Sequence, residues 1–361
     1  MRGLWLGFAV AAMASVVAPA IGQAAETPPS LYDCRTRNPK AADPPPQPVL
    51  PPAVAANLAK AKASERFEQV CPNGEVPYPR GAHGFLAKAH PALSGLKAPG
   101  SRLRQRRLRR SEAGASRFWN GSAWYSHAIG YQSFNQAKGV NGLWVSQTNE
   151  KPYVATNEKD KGHSIGQLWA LTSVSSTCFS TAETGWRAAP ASYGDEDPHL
   201  FMFAFDCGIG LGYAGKGLPW VQSSGVVFPN AVLSHNDAFH VYGARMDGNN
   251  WWFYYDGHWV GYIPNSAWKY LFPAKLSLIE AGGEVASQAY ETCSDMGYAG
   301  LPGTHPWAAM FGDVWYEYYY NTLASSASML GVAGDPSQYS IGSWSAGYPG
   351  SEFRYGGPGW C

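Results

Sequence analysis

Between residues 237 and 264 the chain reads DAFHVYGARMDGNNWWFYYDGHWVGYIP, three runs of strand-forming residues separated by two turn signals. The first break is DGNN. The second is Asp256-Gly257, set between WWFYY and HWVGYI, a pair that accepts the positive φ angles of a two-residue hairpin. Successive tight turns commit this region to an antiparallel sheet, because parallel strands need far longer crossover connections. HLFMFAFD (199–206) is a continuous apolar run of strand length, and KLSLIEAGGEVAS (275–287) reads as another strand with a Gly-Gly interruption. Beyond residue 116 aromatic residues become dense, glycine punctuates every few positions, and no long helical period survives. Many short strands with frequent turns predict an all-β sandwich or barrel.

The chain before residue 117 has another character. Met1-Arg2 is a short basic start, Leu4 to Val17 an apolar core, and Ala18 to Ala25 a small-residue run with a cleavage position after Ala24. That order predicts a signal peptide over 1–24 and a secreted protein, extracellular or periplasmic. Residues 25–116 read as a prosegment. It holds a Pro-rich extended stretch, one short helix over 53–69 (AVAANLAKAKASERFEQ), a turn-rich CPNGEVPYPRG, and a basic linker with six arginines between Arg102 and Arg110. An exposed basic linker is where proteases cut, so it marks the boundary with a domain over 117–361. Residues 1–115 carry 16 Lys+Arg against 7 Asp+Glu, and residues 116–361 carry 11 against 19. With a signal peptide ahead of it, this asymmetry fits a basic prosegment lying on an acidic domain better than a nucleic-acid tail.

Six cysteines in a secreted chain predict three disulfides, and order along the chain suggests Cys34–Cys71, Cys178–Cys207 and Cys293–Cys361. No CxxC or HExxH occurs, so no metal site is expected. His235 and His240 flank NDAF at a spacing that suits neither one helix face nor a tight metal hairpin. Gly162-His163-Ser164-Ile165-Gly166 matches the pattern of a serine nucleophile elbow. That elbow needs a strand before and a helix after, whereas NEKDK precedes and the strand-like QLWALTSV follows. Gly210-Leu211-Gly212-Tyr213-Ala214-Gly215 matches a dinucleotide fingerprint, but KGLPWVQ follows it with no helix, so it reads as a glycine-rich turn. The 15 tryptophans read mostly as core filler rather than as sugar-stacking platforms.

The carboxylates carry the remaining chemistry. STAETGWRAAP puts Glu183 in a strand that shares one face among Thr181, Glu183, Gly185 and Arg187, with Trp186 opposite. Glu284 follows Gly282-Gly283, which admit a close neighbour. If period two survives those glycines, Glu280 shares Glu284's face, and spacing does not choose between them. Two carboxylates meeting in a cleft titrate as a coupled pair, which puts an acid and a base in one site.

The segments SIGQLWAL, AETGWRAAPASYGDEDPHLFMF, NNWWFYYDGHWVGYIP and AGGEVAS, in this order, resemble the neprosin family of glutamic peptidases. LYDC (31–34) and CPNGEVPYPR (71–80) resemble its prosegment. The resemblance implies a concanavalin-like antiparallel β-sandwich of two sheets and a secreted, acid-active endopeptidase that cleaves after proline. It implies Glu183 and Glu284 as the catalytic pair and Glu280 as a supporting residue. Gln167, Trp169, Trp186 and Tyr193, in family-like segments near Glu183, become candidate substrate-binding residues. It implies no cofactor, and as partners a protein or peptide substrate and the chain's own prosegment as intramolecular inhibitor, with no nucleic acid and no membrane. One departure is plain. Plant-like members carry a close cysteine pair before an FVQ-like segment, where this chain has DCGIGLGYAGKGLPWVQ with Cys207 alone. The competing expectation is a carbohydrate-active concanavalin-like protein, either a retaining glycosidase or a lectin-like module.

Overall fold

The computed structural model describes residues 32–65, 67–79, 118–119, 123–134, 139–157, 160–175, 178–206, 209–214, 217–268, 275–302, 308–318, 324–326, 329–333, 337–342 and 352–361. The expected signal peptide and the arginine-rich linker lie outside these residues. Among the described residues no helix is long and apolar enough to cross a membrane.

Two antiparallel sheets stack face to face. In the front sheet the strand order is β10 (Gly217–Leu218), β9 (Ile209–Ala214), β8 (His199–Asp206), β7 (Cys178–Ala188), β6 (Gly162–Ser175), β15 (Leu278–Ser287), β4 (Trp124–Ser133) and β18 (Leu330–Ala333). β3 (Phe118–Trp119) pairs with β4, and only the β9–β10 edge is parallel. The back sheet runs β11 (Val221–Gln222), β14 (His258–Pro264), β13 (Asn250–Tyr255), β12 (Asn236–Asp247), β5 (Val140–Asn149), β16 (Ala309–Tyr318), β20 (Phe353–Gly356) and β19 (Ser340–Ile341), with β17 (Ala324–Ser326) on β16. The expected hairpins are both present. Asp256 (φ 41°) and Gly257 (φ 91°) take the paired positive angles of a type I′ turn between β13 and β14.

Period two assigns the faces. On β7, Ala182, Trp186 and Ala188 point between the sheets, and on β6 Leu168 and Ala170 do so. They meet Val145, Tyr242, Phe253 and Val260 of the back sheet in one apolar core. The alternate residues of β4, β6, β7, β8 and β15 form the outer face of the front sheet, where Ile165, Phe201, Phe203 and Phe205 make a separate apolar cluster. The outer face of the back sheet carries a third cluster, of Trp144, Trp252, Tyr254, Trp259, Tyr262 and Trp315.

The N-terminal segment is covered by little regular structure. β1 (Tyr32–Thr36) pairs with β2 (Glu75–Pro79), and between them lies α1 (Pro52–Ser64), which starts one residue before the expected 53–69 window and ends short of it at Ser64. Cys34 bonds Cys71 and Cys293 bonds Cys361, as chain order suggested. The side chains of Cys178 and Cys207 lie outside the described residues.

Candidate active site

The outer face of the front sheet is built from cross-strand rows. β15 runs between β4 and β6 without a register shift over Leu278–Ser287, so period two survives the two glycines. One row reads Phe203, Glu183, Trp169, Glu280, Tyr131 across β8, β7, β6, β15 and β4. Four residues along, a parallel row reads His199, Arg187, Ile165, Glu284, His127. Between them lies Phe201, Gly185, Gln167, Gly282, Ile129. Glu183 and Glu284 therefore share a face, flanking a strip in which two of the central positions have no side chain.

The glycines of that strip hold the strands together. A Cβ on Gly185 would collide with the Gly166 carbonyl, and one on Gly282 with the Ala128 carbonyl. A Cβ on Gly283 would strike the Tyr355 ring in the core. The close neighbours that Gly282-Gly283 admit are thus the β4 backbone and a core ring.

Glu284 has an elaborate environment. His127 Nε2 donates to its Oε2 at 2.7 Å and His163 Nε2 to its Oε1 at 3.1 Å. The carboxylate is 13% exposed and the two imidazoles 24% and 3%. Burial alone would push Glu284 upward. The two hydrogen bonds and the attraction of the imidazoles outweigh it and hold the carboxyl at about 2, against an ordinary 4.5. Burial pushes His163 down, the bond to Glu284 pulls it back, and the charges of Arg187 and His127 push it down again. Its Nδ1 is buried with no partner. A neutral ring with its proton on Nε2 satisfies this geometry, since a bare lone pair costs less there than an unpaired N–H.

Glu183 is half-buried and its Oε1 accepts from Thr181 Oγ1 at 2.5 Å. Tyr213 on β9 pairs with Phe203 and so extends the row that holds Glu183. Burial pushes its phenol well above the ordinary range, Arg187 lowers it, and the charges of Tyr193, Glu284 and Glu183 raise it. Arg187 is buried at the end of the strip, its guanidinium 4.9 Å from the Tyr213 ring centre and 5.3 Å from that of Tyr193.

The other expected residues divide. Gln167 lies in the strip between the glutamate rows, with its Oε1 buried and without a partner. Trp169 stands between Glu183 and Glu280, its ring centre 6.5 Å from that of His127. Trp186 does not line this face. It is fully buried between the sheets, because it alternates with Glu183 through an odd offset. Tyr193, on α2 (Pro190–Tyr193), stacks on His199 at 3.9 Å and backs Arg187. Glu280 is buried on the same face and level with Glu183.

Sequence reasoning missed His127, His163 and Tyr213. His163 sits in the GHSIG pattern, which is continuous strand with no elbow, and no spacing ties either histidine to Glu284 before the register is known. Tyr213 belongs to the GLGYAG stretch expected to be a turn. It is strand β9, with a register shift opposite Ala204 and Phe205 and Gly212 at φ 106°. A bulge of this kind re-aims side chains, and glycine spacing within an apolar run was its signal.

The family model described as Neprosin matches residues 160–358. No curated protein matches the sequence. Among solved structures, the β-porphyranase BpGH16B from the human gut bacterium Bacteroides plebeius is 9% identical, with 46% of this chain and 74% of that one covered and a TM-score of 0.21. A Bacteroides ovatus mixed-linkage glucan GH16 protein is 11% identical (48% and 72% covered, TM-score 0.24). The kappa-carrageenase from Pseudoalteromonas carrageenovora is 12% identical (67% and 84% covered, TM-score 0.24). Overlaps this loose carry no argument about activity.

Proposed function

Since the chain belongs to the neprosin family, we propose that it is a secreted, acid-active endopeptidase in which Glu183 and Glu284 activate a water against a peptide bond. The observation that carries this reading is their placement on one face of the front sheet, on either side of a strip that includes Gly185 and Gly282. An extended peptide lying along that strip would bring its carbonyl between the two carboxyls.

The asymmetry of the pair supports a division of roles. Glu284, held ionised by His127 and His163, is the base, which leaves Glu183 as the acid. Glu284 takes a proton from water as the water oxygen attacks the carbonyl carbon. Glu183 gives its proton to the carbonyl oxygen, forming a neutral tetrahedral diol. On collapse the diol returns a proton to Glu183, Glu284 protonates the departing nitrogen, and the C–N bond breaks. The Tyr213 hydroxyl, un-ionised throughout, is a hydrogen-bond donor for the developing oxyanion. The apolar wall of Phe201, Phe203 and Tyr213 beside Glu183 suits a compact ring, which supports a proline preference.

Glu183→Gln and Glu284→Gln should each abolish cleavage of a denatured protein at acid pH without loss of fold. Full activity in either variant removes that residue. Glu280→Gln tests the rival pairing that register alone would favour. Mass-spectrometric mapping of cuts in a peptide library fixes the preference. Sugar release without any peptide cleavage would overturn the proposal in favour of the carbohydrate-active alternative.

A further inference from the structure

The N-terminal segment docks on the side of the sandwich that does not carry the glutamates. α1 packs along β12, and Val54 and Leu58 cover the aromatic layer on the outer face of the back sheet together with Ala42 and Leu50. That layer comprises Trp144, Trp252, Tyr254, Trp259, Tyr262 and Trp315, each 8% exposed or less. Polar groups pin the segment along its length. Ala42 N donates to Tyr262 Oη at 3.1 Å, and Arg245 Nη2 donates to the Pro46 carbonyl at 3.2 Å.

The deepest pin is Glu65. Its Oε1 accepts from Ser234 N at 2.9 Å and from Tyr255 Oη at 3.1 Å, and lies 3.9 Å from His240 Nδ1. His240 is fully buried and donates from Nδ1 to Asp256 Oδ2 at 2.6 Å. A carboxylate of the segment thus completes a buried polar cluster of the sandwich. Removing it would leave the Ser234 amide and the Tyr255 hydroxyl to find new partners and would bare six large rings to water. Neither described disulfide ties the segment to the sandwich, since Cys34–Cys71 closes within it and Cys293–Cys361 within the rest.

We infer that residues 32–79 are a permanent, non-covalently held part of the working protein, and that a cut in the arginine-rich linker yields a two-chain molecule rather than a released prosegment. The partner for the aromatic face is the chain's own N-terminal segment, and the bond between them is apolar burial with a buried Glu65, rather than attraction between a basic half and an acidic half.

The test uses the full chain carrying Glu183→Gln, with residues 102–110 replaced by the recognition sequence of an added site-specific protease. Cutting then does not depend on the protein's own activity, so failure of this inference and failure of the peptidase reading are separate results. After the cut, non-reducing gel filtration at ~1 μM, in low and in high salt, should show both fragments in one peak, which requires a dissociation constant well below that concentration. A free N-terminal fragment, whether the remainder stays soluble or precipitates, overturns the inference. Dissociation in high salt alone would assign the contact to charge and overturn it as well. Leu58→Asp and Glu65→Ala should lower the melting temperature of the cut protein more than that of the uncut one, because the intact linker keeps the segment at high local concentration. Equal effects in the two forms would count against retention.

Discussion

The two outer faces of this sandwich differ in almost everything except backbone. The back sheet presents indoles and phenols packed mostly edge to face, sealed beneath an N-terminal helix and strap. The front sheet presents two glutamates, two imidazoles, glycines and one apolar corner, with Glu183 and His127 still partly open to solvent. A covered face is stabilised by area removed from water. A face that keeps carboxylates does so at modest cost only where each finds hydrogen-bond donors. Glu284 has His127 and His163, and Glu183 has Thr181. The contrast separates stability from candidate chemistry: one face holds the molecule together and the other carries the carboxylates.

Substitutions should respect that division. Glu284→Gln, on the front face, should lower turnover by roughly 10²-fold or more while keeping the fold, with a melting temperature below the parent's near neutral pH. Trp252→Ala, on the back, should destabilise by about 3–5 kcal/mol in denaturant titration, with the folded fraction still active. If it abolishes activity in the folded state, the faces are not independent. Gly282→Ala should cost about 1–3 kcal/mol by forcing β15 away from β4, and is the front-face change expected to act through stability.

The histidines give a pH test. Glu284 sits at about 2 when folded against an ordinary 4.5. Its unfolded form therefore binds the proton first, and its contribution to stability is present above about 4.5 and lost as pH falls through about 2. Melting curves of the parent and Glu284→Gln should converge across that window. His163→Ala removes a donor while leaving burial, so Glu284 should rise and the acid limb of the activity profile should move to higher pH. An unmoved limb would show that His163 only packs. Gln167→Ala should have the smallest effect, a rise in KM with little change in kcat, as expected for a residue that lies between the glutamate rows and acts on binding alone.

Several of these features were open to sequence reading because they depend on neighbours along the chain. The Asp256-Gly257 hairpin follows from which residues tolerate positive φ. The common face of Thr181, Glu183, Gly185 and Arg187 follows from period two, as does the inward turn of Trp186. The helix at 52–64 and the Cys34–Cys71 closure were likewise local. The family resemblance chose Glu284 over Glu280 where spacing did not, and the register still places Glu280 level with Glu183.

Local sequence thus determined that this chain makes short antiparallel strands with alternating faces, because steric limits on φ and ψ and side-chain alternation act over a few residues. Which strands became neighbours was decided only by the tertiary structure. That pairing brought His127 and His163, 157 and 121 positions away, against Glu284, set Tyr213 beside Phe203 in the row that holds Glu183, and sent the N-terminal segment to the back sheet. Each of these depends on burial of surfaces remote in sequence, which no short window encodes.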